Sequence, residues 1–322
     1  MSSAQENILA LSGGVGGAKL ALGLADVLPP GALHVLVNTG DDFKHLGLHI
    51  SPDIDTLLYT LSGRANEALG WGLEGETWNA MSALELLGAD TWFKLGDRDL
   101  ATHLWRTQQL SGGARPSAVT SALAKRLGVS SHVYPMTDNP VRTLVHTDKG
   151  DLPFQHYFVR DQCKPVVAGF SFEGISSAYP NQEVKRMLRQ GQFGALIICP
   201  SNPFVSVDPI LQLPGLWLAL RESSASVVVV SPIVAGVALK GPAAKMMAEL
   251  GMGASALAVA QHYSQRYPGL VDCFVIDESD ATLADSIREL GMDVAVTATV
   301  MKTRSDKQSL ARFVLTLDRS PL

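Results

Sequence analysis

Short apolar runs alternate with helical patterns at the start of the chain. Residues 7–11 are apolar and lead into a glycine-rich stretch, and residues 18–27 follow with leucines spaced among small side chains. Pro29-Pro30-Gly31 ends that pattern, and residues 33–37 are again apolar. The order strand, glycine turn, helix and strand predicts the opening of a parallel α/β sheet.

The same alternation returns in the second half. Residues 195–199, 226–231, 271–276 and 294–297 are apolar and rich in β-branched side chains, and helical patterns separate them. Continuous apolar strands are typical of a parallel sheet that is buried on both faces. We therefore predict a doubly wound, mostly parallel, Rossmann-like sheet. A final helix over about 306–317 is expected to follow a capping box at Ser305 and Gln308.

The middle of the chain follows a different pattern. Residues 65–127 lack strand-like runs and are rich in helix formers, and residues 133–159 change to short alternating segments. We interpret 63–170 as an insertion, mainly helical and then a hairpin. The predicted Rossmann-like domain comprises 1–62 and 171–322.

Composition narrows the class of protein. Hydrophobic residues make up 46% of the 322, and 26 basic against 31 acidic side chains give a net charge of −5, so a phosphate-tracking nucleic-acid binder is excluded. The three cysteines, Cys163, Cys199 and Cys273, form no CxxC pair, which suits a reducing compartment. No basic, signal-like N-terminus and no apolar run long enough for a membrane span are present, so we expect a cytoplasmic protein.

The glycine loop is the first candidate binding element. Gly13, Gly14, Gly16 and Gly17 lie between the first strand and the first helix, followed by Lys19. Such a loop brings backbone N–H groups and a helix N-terminus to an anion. It matches neither a P-loop nor the dinucleotide fingerprint, which weakens the case for an NAD-dependent oxidoreductase. The glycines could instead serve only tight packing of the strand against the helix. The position of the loop between a strand and a helix, with Lys19 following, favours phosphate binding.

Four carboxylates follow the second strand, and two histidines lie among them. They are Asp41, Asp42, Asp53 and Asp55, with His45 and His49 between them. In a doubly wound sheet this is the edge where ligands bind, and clustered carboxylates favour a cation such as Mg²⁺. Two histidines without a third or a cysteine make a weaker zinc site. Each segment alone also fits a turn or a helix cap.

Further loops are expected at the same edge. Residues 92–99 place Lys94 behind an aromatic pair, Asn202 follows one strand, and Ser231 with Gly236 follows the next. Each fits an ordinary turn by composition. Their convergence on one edge supports a binding site. Most of the tryptophans in and beside the insertion are interpreted as core, and some as candidate walls for a flat ring.

Together these segments resemble the 2-phospho-L-lactate transferase family, the CofD family, of coenzyme F420 biosynthesis. The matching stretches are LSGGVGGAKL, VNTGDDFKHLGLHISPDIDTLLYTL, TWFKLGDRDLATHL, ICPSNPFVSVDPIL and SPIVAGVALKGPAAKMM. The resemblance implies a Mg²⁺-dependent phospho-group transferase. The ribityl hydroxyl of the deazaflavin Fo (7,8-didemethyl-8-hydroxy-5-deazariboflavin) attacks a guanosine diphospho-acid, GMP leaves, and the phospho-acid stays on Fo.

The resemblance also implies roles for single residues. Asp41 and Asp53 would be metal ligands, and Asp55, Lys94 and His49 would contact Fo, with Asp55 as the candidate group that orients the hydroxyl or takes its proton. The nucleotide contacts would come from the glycine loop and the later loops, at Gly13, Gly14, Gly16, Gly17, Lys19, Asn202, Ser231 and Gly236. The insertion would help to bind the deazaflavin, and a homodimer is expected.

The sequence departs from the family pattern at two positions and leaves one choice open. Val15 and Ala235 stand where threonine and glycine are expected, and neither change removes a backbone N–H group. The transferred three-carbon acid can be phospholactate, phosphoenolpyruvate or 3-phosphoglycerate. The rival hypothesis is a non-catalytic regulatory protein that binds a UDP-sugar on the same superfamily fold.

Overall fold

A parallel sheet of seven strands forms the centre of the protein. The structure is a computed structural model that describes residues 7–238 and 241–317. The described strands are β1 (Asn7–Ser12), β2 (Leu33–Val37), β3 (Phe43–His45), β4 (Leu48–Ile50), β5 (His132–Pro135), β6 (Arg142–Thr147), β7 (Gly150–Pro153), β8 (Val167–Glu173), β9 (Phe193–Ile198), β10 (Ser226–Val230), β11 (Ile233–Val234), β12 (Val237–Ala238), β13 (Cys273–Ile276) and β14 (Asp293–Val296). The central sheet has the order β14-β13-β10-β9-β1-β2-β5.

Helices cover both faces of this sheet. They are α1 (Gly14–Val27), α2 (Pro52–Leu61), α3 (Asn79–Leu86), α4 (Asp97–Ser111), α5 (Pro116–Arg126), α6 (Gln182–Arg189), α7 (Asp208–Leu211), α8 (Leu216–Arg221), α9 (Ala243–Glu249), α10 (Ala256–Arg266), α11 (Ala284–Arg288) and α12 (Arg304–Leu315). Among the described residues, no helix is both long enough and apolar enough to cross a membrane.

Side chains that alternate along each strand build two buried clusters, one on each face of the sheet. In β1, Leu9 and Leu11 belong to one buried cluster and Ile8 and Ala10 to the other. The first cluster contains residues of α6, α8, α9 and α10, and the second contains residues of α1, α2, α5 and α12. Because strand side chains point alternately to opposite faces, both faces must be apolar. The predicted doubly wound α/β fold is confirmed.

The chain reverses its winding direction beside β1. From β1 it proceeds through β2 to β5 on one side, and from β9 through β10 and β13 to β14 on the other. The carboxyl ends of β1 and β9 therefore flank a crevice that no crossover helix fills. Ligands bind at such a switch point in open α/β sheets.

The region predicted to be an insertion contributes to the central sheet. Residues 63–127 contain the helices α3, α4 and α5, and β6 and β7 form the expected hairpin. However, β5 pairs in parallel with β2, and β8 extends the antiparallel β7-β6-β8 sheet to Glu173. The boundaries 63–170 stay a prediction, and within them the sequence analysis missed β5, because its four residues give too short an apolar run to indicate a sheet strand.

The last helix begins earlier than its sequence pattern predicts. Thr303 is its N-cap, its hydroxyl accepts from the Asp306 N–H, and the Asp306 carboxylate accepts in return from the Thr303 N–H. This capping box replaces the one expected at Ser305 and Gln308, since Thr303 has the extended backbone that an N-cap requires. The helix packs closely on α1, where a Cβ on Gly23 would lie 2.1 Å from the Lys307 carbonyl oxygen.

Candidate active site

A cavity of about 740 Å³ opens at the switch point of the sheet. Loops after β1, β2, β9, β10 and β14 contribute to its wall, together with segments of 69–71, 92–94 and 154–159. Nine of the predicted site residues line it: Gly13, Gly14, Gly16, Lys19, Asp41, Asp53, Lys94, Asn202 and Ser231. Gly17, His49, Asp55 and Gly236 are not among the lining residues.

The glycine loop packs closely against the loop after β9. A Cβ on Gly16 would lie 2.3 Å from the Pro200 carbonyl oxygen, and one on Gly17 would lie 2.4 Å from the Ser12 hydroxyl. Gly14 has a left-handed φ of +64° with open space around its Cα. The glycines therefore serve strand–helix packing as well as access to the cavity.

The first turn of α1 retains donors for an anion. The Gly13 N–H donates to the Ser201 hydroxyl at 3.1 Å, and the Gly14 N–H donates to Asp53 Oδ1 at 2.7 Å. The N-cap residue Gly13 has no side chain to cap α1, and the N–H groups that follow Gly14 in the first turn have no partner within the helix. These N–H groups, at the positive end of the helix dipole, can bind a phosphate in the cavity.

Asp41 and Asp53 form a buried carboxylate pair on the cavity wall. Asp53 accepts from the Gly14 N–H and from Asn38 Nδ2 at 2.9 Å, whereas Asp41 Oδ1 is buried without a hydrogen-bond partner. Burial, and next the negative charge of Asp53, hold the pKa of Asp41 well above its usual range. Burial raises the pKa of Asp53 to about 6. Two such carboxylates favour a cation between them.

Asp42 and His49 form a separate contact beside this pair. Asp42 Oδ2 accepts from the Ser51 hydroxyl at 2.9 Å and lies 3.0 Å from His49 Nε2. The imidazole is held by this carboxylate, behind the residues that line the cavity. The predicted contact of His49 with a deazaflavin therefore stays a prediction.

Asp55 lies at the interface of α2 and α4 instead of on the cavity wall. Its carboxylate is paired with both terminal nitrogens of Arg106, one at 2.9 Å, and His103 Nδ1 is 3.7 Å away. α2 puts Asp53 and Asp55 on different sides because residues two apart in a helix do not share a face. Its predicted role as base or Fo contact stays a prediction.

Sequence reasoning missed the remainder of this buried network. Asp99 lies 3.2 Å from His103 Nε2 and accepts from the Tyr59 hydroxyl at 2.6 Å. Ligand atoms of Asp55, Asp99 and His103 all lie within 4.8 Å of one another, so these residues could hold a metal ion. The Arg106 guanidinium already neutralises Asp55 there. The cavity pair Asp41 and Asp53 is therefore the better metal candidate.

One end of the cavity is aromatic. Trp71, Trp92, Phe93, Phe154 and Phe158 all line it, and the exposed Lys94 lies beside them. Trp92 is held edge-on between two histidine rings, with centroid distances of 5.2 Å to His45 and 5.0 Å to His156. Of the tryptophans expected mostly in the core, Trp71 and Trp92 are thus cavity walls. This end suits a flat ring system.

The opposite end is polar and includes residues near the end of the described chain. The side-chain oxygen Oδ1 of Asn202 accepts from the N–H groups of Phe204 and Val205, and the Ser231 hydroxyl donates to the Ile233 carbonyl oxygen. These bonds shape the two loops. Residues 299–302, which sequence analysis missed, complete the wall. They follow β14, so the rule that loops after parallel strands meet at one edge could have found them.

The backbone of the loop after β10 explains why glycine is expected at the position that Ala235 occupies. Ala235 has a left-handed φ of +49°, a conformation that glycine adopts without strain, and its N–H donates to Asp280 Oδ2 at 3.0 Å. Gly236 follows with a φ of +76°. Both residues turn the short β11–β12 hairpin, which explains why Gly236 does not reach the cavity.

The chain matches one protein family over nearly its whole length. The family model described as 2-phospho-L-lactate transferase CofD covers residues 8–311. A 2-phospho-L-lactate transferase of Methanosarcina acetivorans is 36% identical over 310 residues, covering 96% of this chain and 98% of the relative. A phosphoenolpyruvate transferase of Streptomyces coelicolor is 36% identical over 315 residues, covering 96% and 97%.

Solved structures agree on the fold. A member of the UPF0052 family from Bacillus halodurans superposes with a TM-score of 0.68 and covers 97% of this chain and 100% of its own, at 15% identity. That likeness concerns the fold alone. The family model and the curated relatives decide the family: the chain belongs to the CofD family of transferases.

Proposed function

We propose that the protein transfers a phospho-three-carbon-acid group from a guanosine diphospho-acid to the ribityl hydroxyl of Fo, releasing GMP. The observation that carries this proposal is the make-up of the cavity wall, which combines an aromatic end, the N-terminus of α1 and the Asp41–Asp53 pair. Membership in a family whose relatives are named for phospholactate and phosphoenolpyruvate transfer supports it.

Mg²⁺ is the metal that Asp41 and Asp53 would hold. Asp41 Oδ1 is buried without a partner, and carboxylate oxygens beside a phosphate site are the ligands that Mg²⁺ prefers. When bound, Mg²⁺ would neutralise charge on the phosphoryl oxygens. Asn38 and the Gly14 N–H hold Asp53 in place through hydrogen bonds to its two oxygens.

The residues of the cavity would mainly position the two substrates. The first turn of α1 would bind the diphosphate, and Trp92 with Lys94 would bind Fo. The ribityl hydroxyl would give its proton to a base, for which Asp55 is the candidate, as its oxygen forms a bond to the phosphorus nearer the three-carbon acid. The bond from that phosphorus to the bridging oxygen breaks, and GMP leaves with that oxygen. Phosphoryl transfer depends on such positioning and charge neutralisation more than on covalent catalysis.

Three points stay predictions within this proposal. Asp55 is the carboxylate proposed to orient the attacking hydroxyl. Because it is paired with Arg106, a substitution of Asp55 must be checked for loss of stability before its effect on the reaction is interpreted. The acid is open among phospholactate, phosphoenolpyruvate and 3-phosphoglycerate, since relatives of equal identity are named for the first two. The homodimer also stays a prediction.

The test is a fluorescence titration of Fo with protein in the presence of Mg²⁺ and GDP, followed by an assay of GMP release from each of the three donors. Saturable Fo binding and GMP release with one donor are expected. An Asp41→Asn variant should bind Fo and release little GMP. Binding of a UDP-sugar without Fo binding would overturn the proposal in favour of the regulatory alternative.

A further inference from the structure

Three lysines line the cavity among the described residues: Lys19, Lys94 and Lys302. Lys94 lies at the aromatic end. Lys19 Nζ, on the second turn of α1, donates to the Met301 carbonyl at 3.1 Å. Because Lys302 follows Met301 directly, the Lys19–Met301 bond brings Lys302 to the end of the cavity where α1 begins. That is the end where phosphate groups would bind.

The backbone of Lys302 is fixed while its side chain is exposed. Its N–H donates to Asp306 Oδ2 at 3.0 Å, and the Thr303 N–H donates to the same oxygen at 2.7 Å as part of the α12 capping box. Within residues 7–238 and 241–317, its ammonium forms no hydrogen bond and no ion pair. Its charge interacts with that of Asp306 without a direct contact, and an exposed lysine on a fixed backbone beside a cavity is suited to bind an anion.

The charges of the cavity favour an anionic ligand at this position. Asp41 and Asp53 place two carboxylates on the wall, and a divalent cation would offset them. A guanosine diphospho-acid adds the charges of its diphosphate and its carboxylate. Lys19 is already engaged by a carbonyl oxygen. Lys19 keeps its positive charge in this contact, and Lys302 is a second lysine at the same end of the cavity.

We propose that Lys302 binds the diphosphate of the nucleotide donor. This inference rests on the proposed function and assigns to the donor a residue that no sequence motif indicates. Lys302 would act by charge on the substrate and would take no part in bond formation. Its removal should therefore weaken nucleotide binding and leave Fo binding unchanged.

The test is isothermal titration of GDP in the presence of Mg²⁺ into the wild type, Lys302→Met, Lys302→Arg and a control, Lys149→Met. Lys149 is exposed in the β6–β7 turn, away from the cavity. We expect Kd for GDP to rise about tenfold in Lys302→Met, the size of one charge-assisted contact, and to recover in Lys302→Arg. Added salt should weaken the wild type more than Lys302→Met.

The outcomes separate this inference from the proposed function. If wild type does not bind GDP, the proposed nucleotide site fails. If wild type binds GDP and Lys302→Met binds it equally well with the same salt dependence, the role of Lys302 is overturned and the nucleotide site stands. Loss of GDP binding in Lys302→Met with no recovery in Lys302→Arg would also overturn the charge-based role.

Discussion

Arg106 on α4 donates from both terminal nitrogens to the carboxylate of Asp55 on α2. Both side chains are almost fully buried, and His103 lies within 3.1 Å of the guanidinium. α4 begins three residues after Lys94, so this pair fixes the helix that follows the aromatic end of the cavity. The ion pair thus joins the helix that carries Asp53 to the segment that carries Trp92.

The main effect of Asp55→Asn should be a loss of folding stability. It leaves the Arg106 charge buried without a counter-charge, which costs about 3–5 kcal/mol of unfolding free energy. Urea unfolding measures this loss, and Asp285→Asn, in an exposed pair with Arg288, is the control. If Asp55→Asn is as stable as wild type but loses turnover, Asp55 acts on the substrate instead.

The contribution of the Asp41–Asp53 pair to the stability of the metal-free protein should fall as pH rises. Asp53 has a pKa of about 6 in the folded state, Asp41 is raised further, and both have a pKa near 3.9 when unfolded. The folded state therefore binds more protons, so their contribution is complete below about pH 4 and is lost as pH passes 6. The difference in Tm between wild type and Asp41→Asn, without metal at pH 5 and pH 8, measures it. Burial lowers the pKa of His34 to about 4, so His34 contributes in the opposite direction, and it does so in both proteins.

Mg²⁺ should reverse this loss, and Asp41→Asn should remove the response. A cation that binds the ionised pair stabilises the folded protein by mass action, more at pH 8 than at pH 5. Asp41→Asn removes a buried negative charge, so its Tm without metal at pH 8 should exceed that of wild type. A wild-type Tm that does not respond to Mg²⁺ at pH 8 would argue against the metal site.

Gly16→Ala should disturb the cavity through the backbone. The new methyl group would meet the Pro200 carbonyl oxygen at 2.3 Å, so α1 and the loop after β9 must separate, at about 1–3 kcal/mol. Gly253→Ala is the matched control, because its Cβ would meet nothing within 4 Å. Equal unfolding midpoints for the two variants would contradict the close packing.

Trp92→Leu should weaken Fo binding without affecting GDP. The indole forms part of the aromatic wall, and loss of stacking on one ring costs about 1–1.5 kcal/mol, or roughly a tenfold rise in Kd. Trp105→Leu is the control, since Trp105 packs under Arg126 away from the cavity. Equal Fo affinities in the two variants would place the deazaflavin elsewhere.

Local patterns predicted most of the fold and the framework of the site. The glycine loop, Asp41, Asp53 and Lys94 were identified because each follows a strand or lies in a distinctive local sequence. The partner of Asp55 was not, since Arg106 lies on another helix and only tertiary packing brings them together. The same holds for residues 299–302, whose side chains carry no motif and reach the cavity because α12 packs on α1.

The hydrogen bond from Lys19 to the Met301 carbonyl oxygen has a consequence for synthesis of the protein. A ribosome-bound chain can pair β1 with β2 early, but the wall formed by 299–302 does not exist until those residues have left the exit tunnel. The polar end of the cavity is thus completed at a late stage of translation. A nascent chain stalled before Met301 would have an open crevice and an uncovered face of α1.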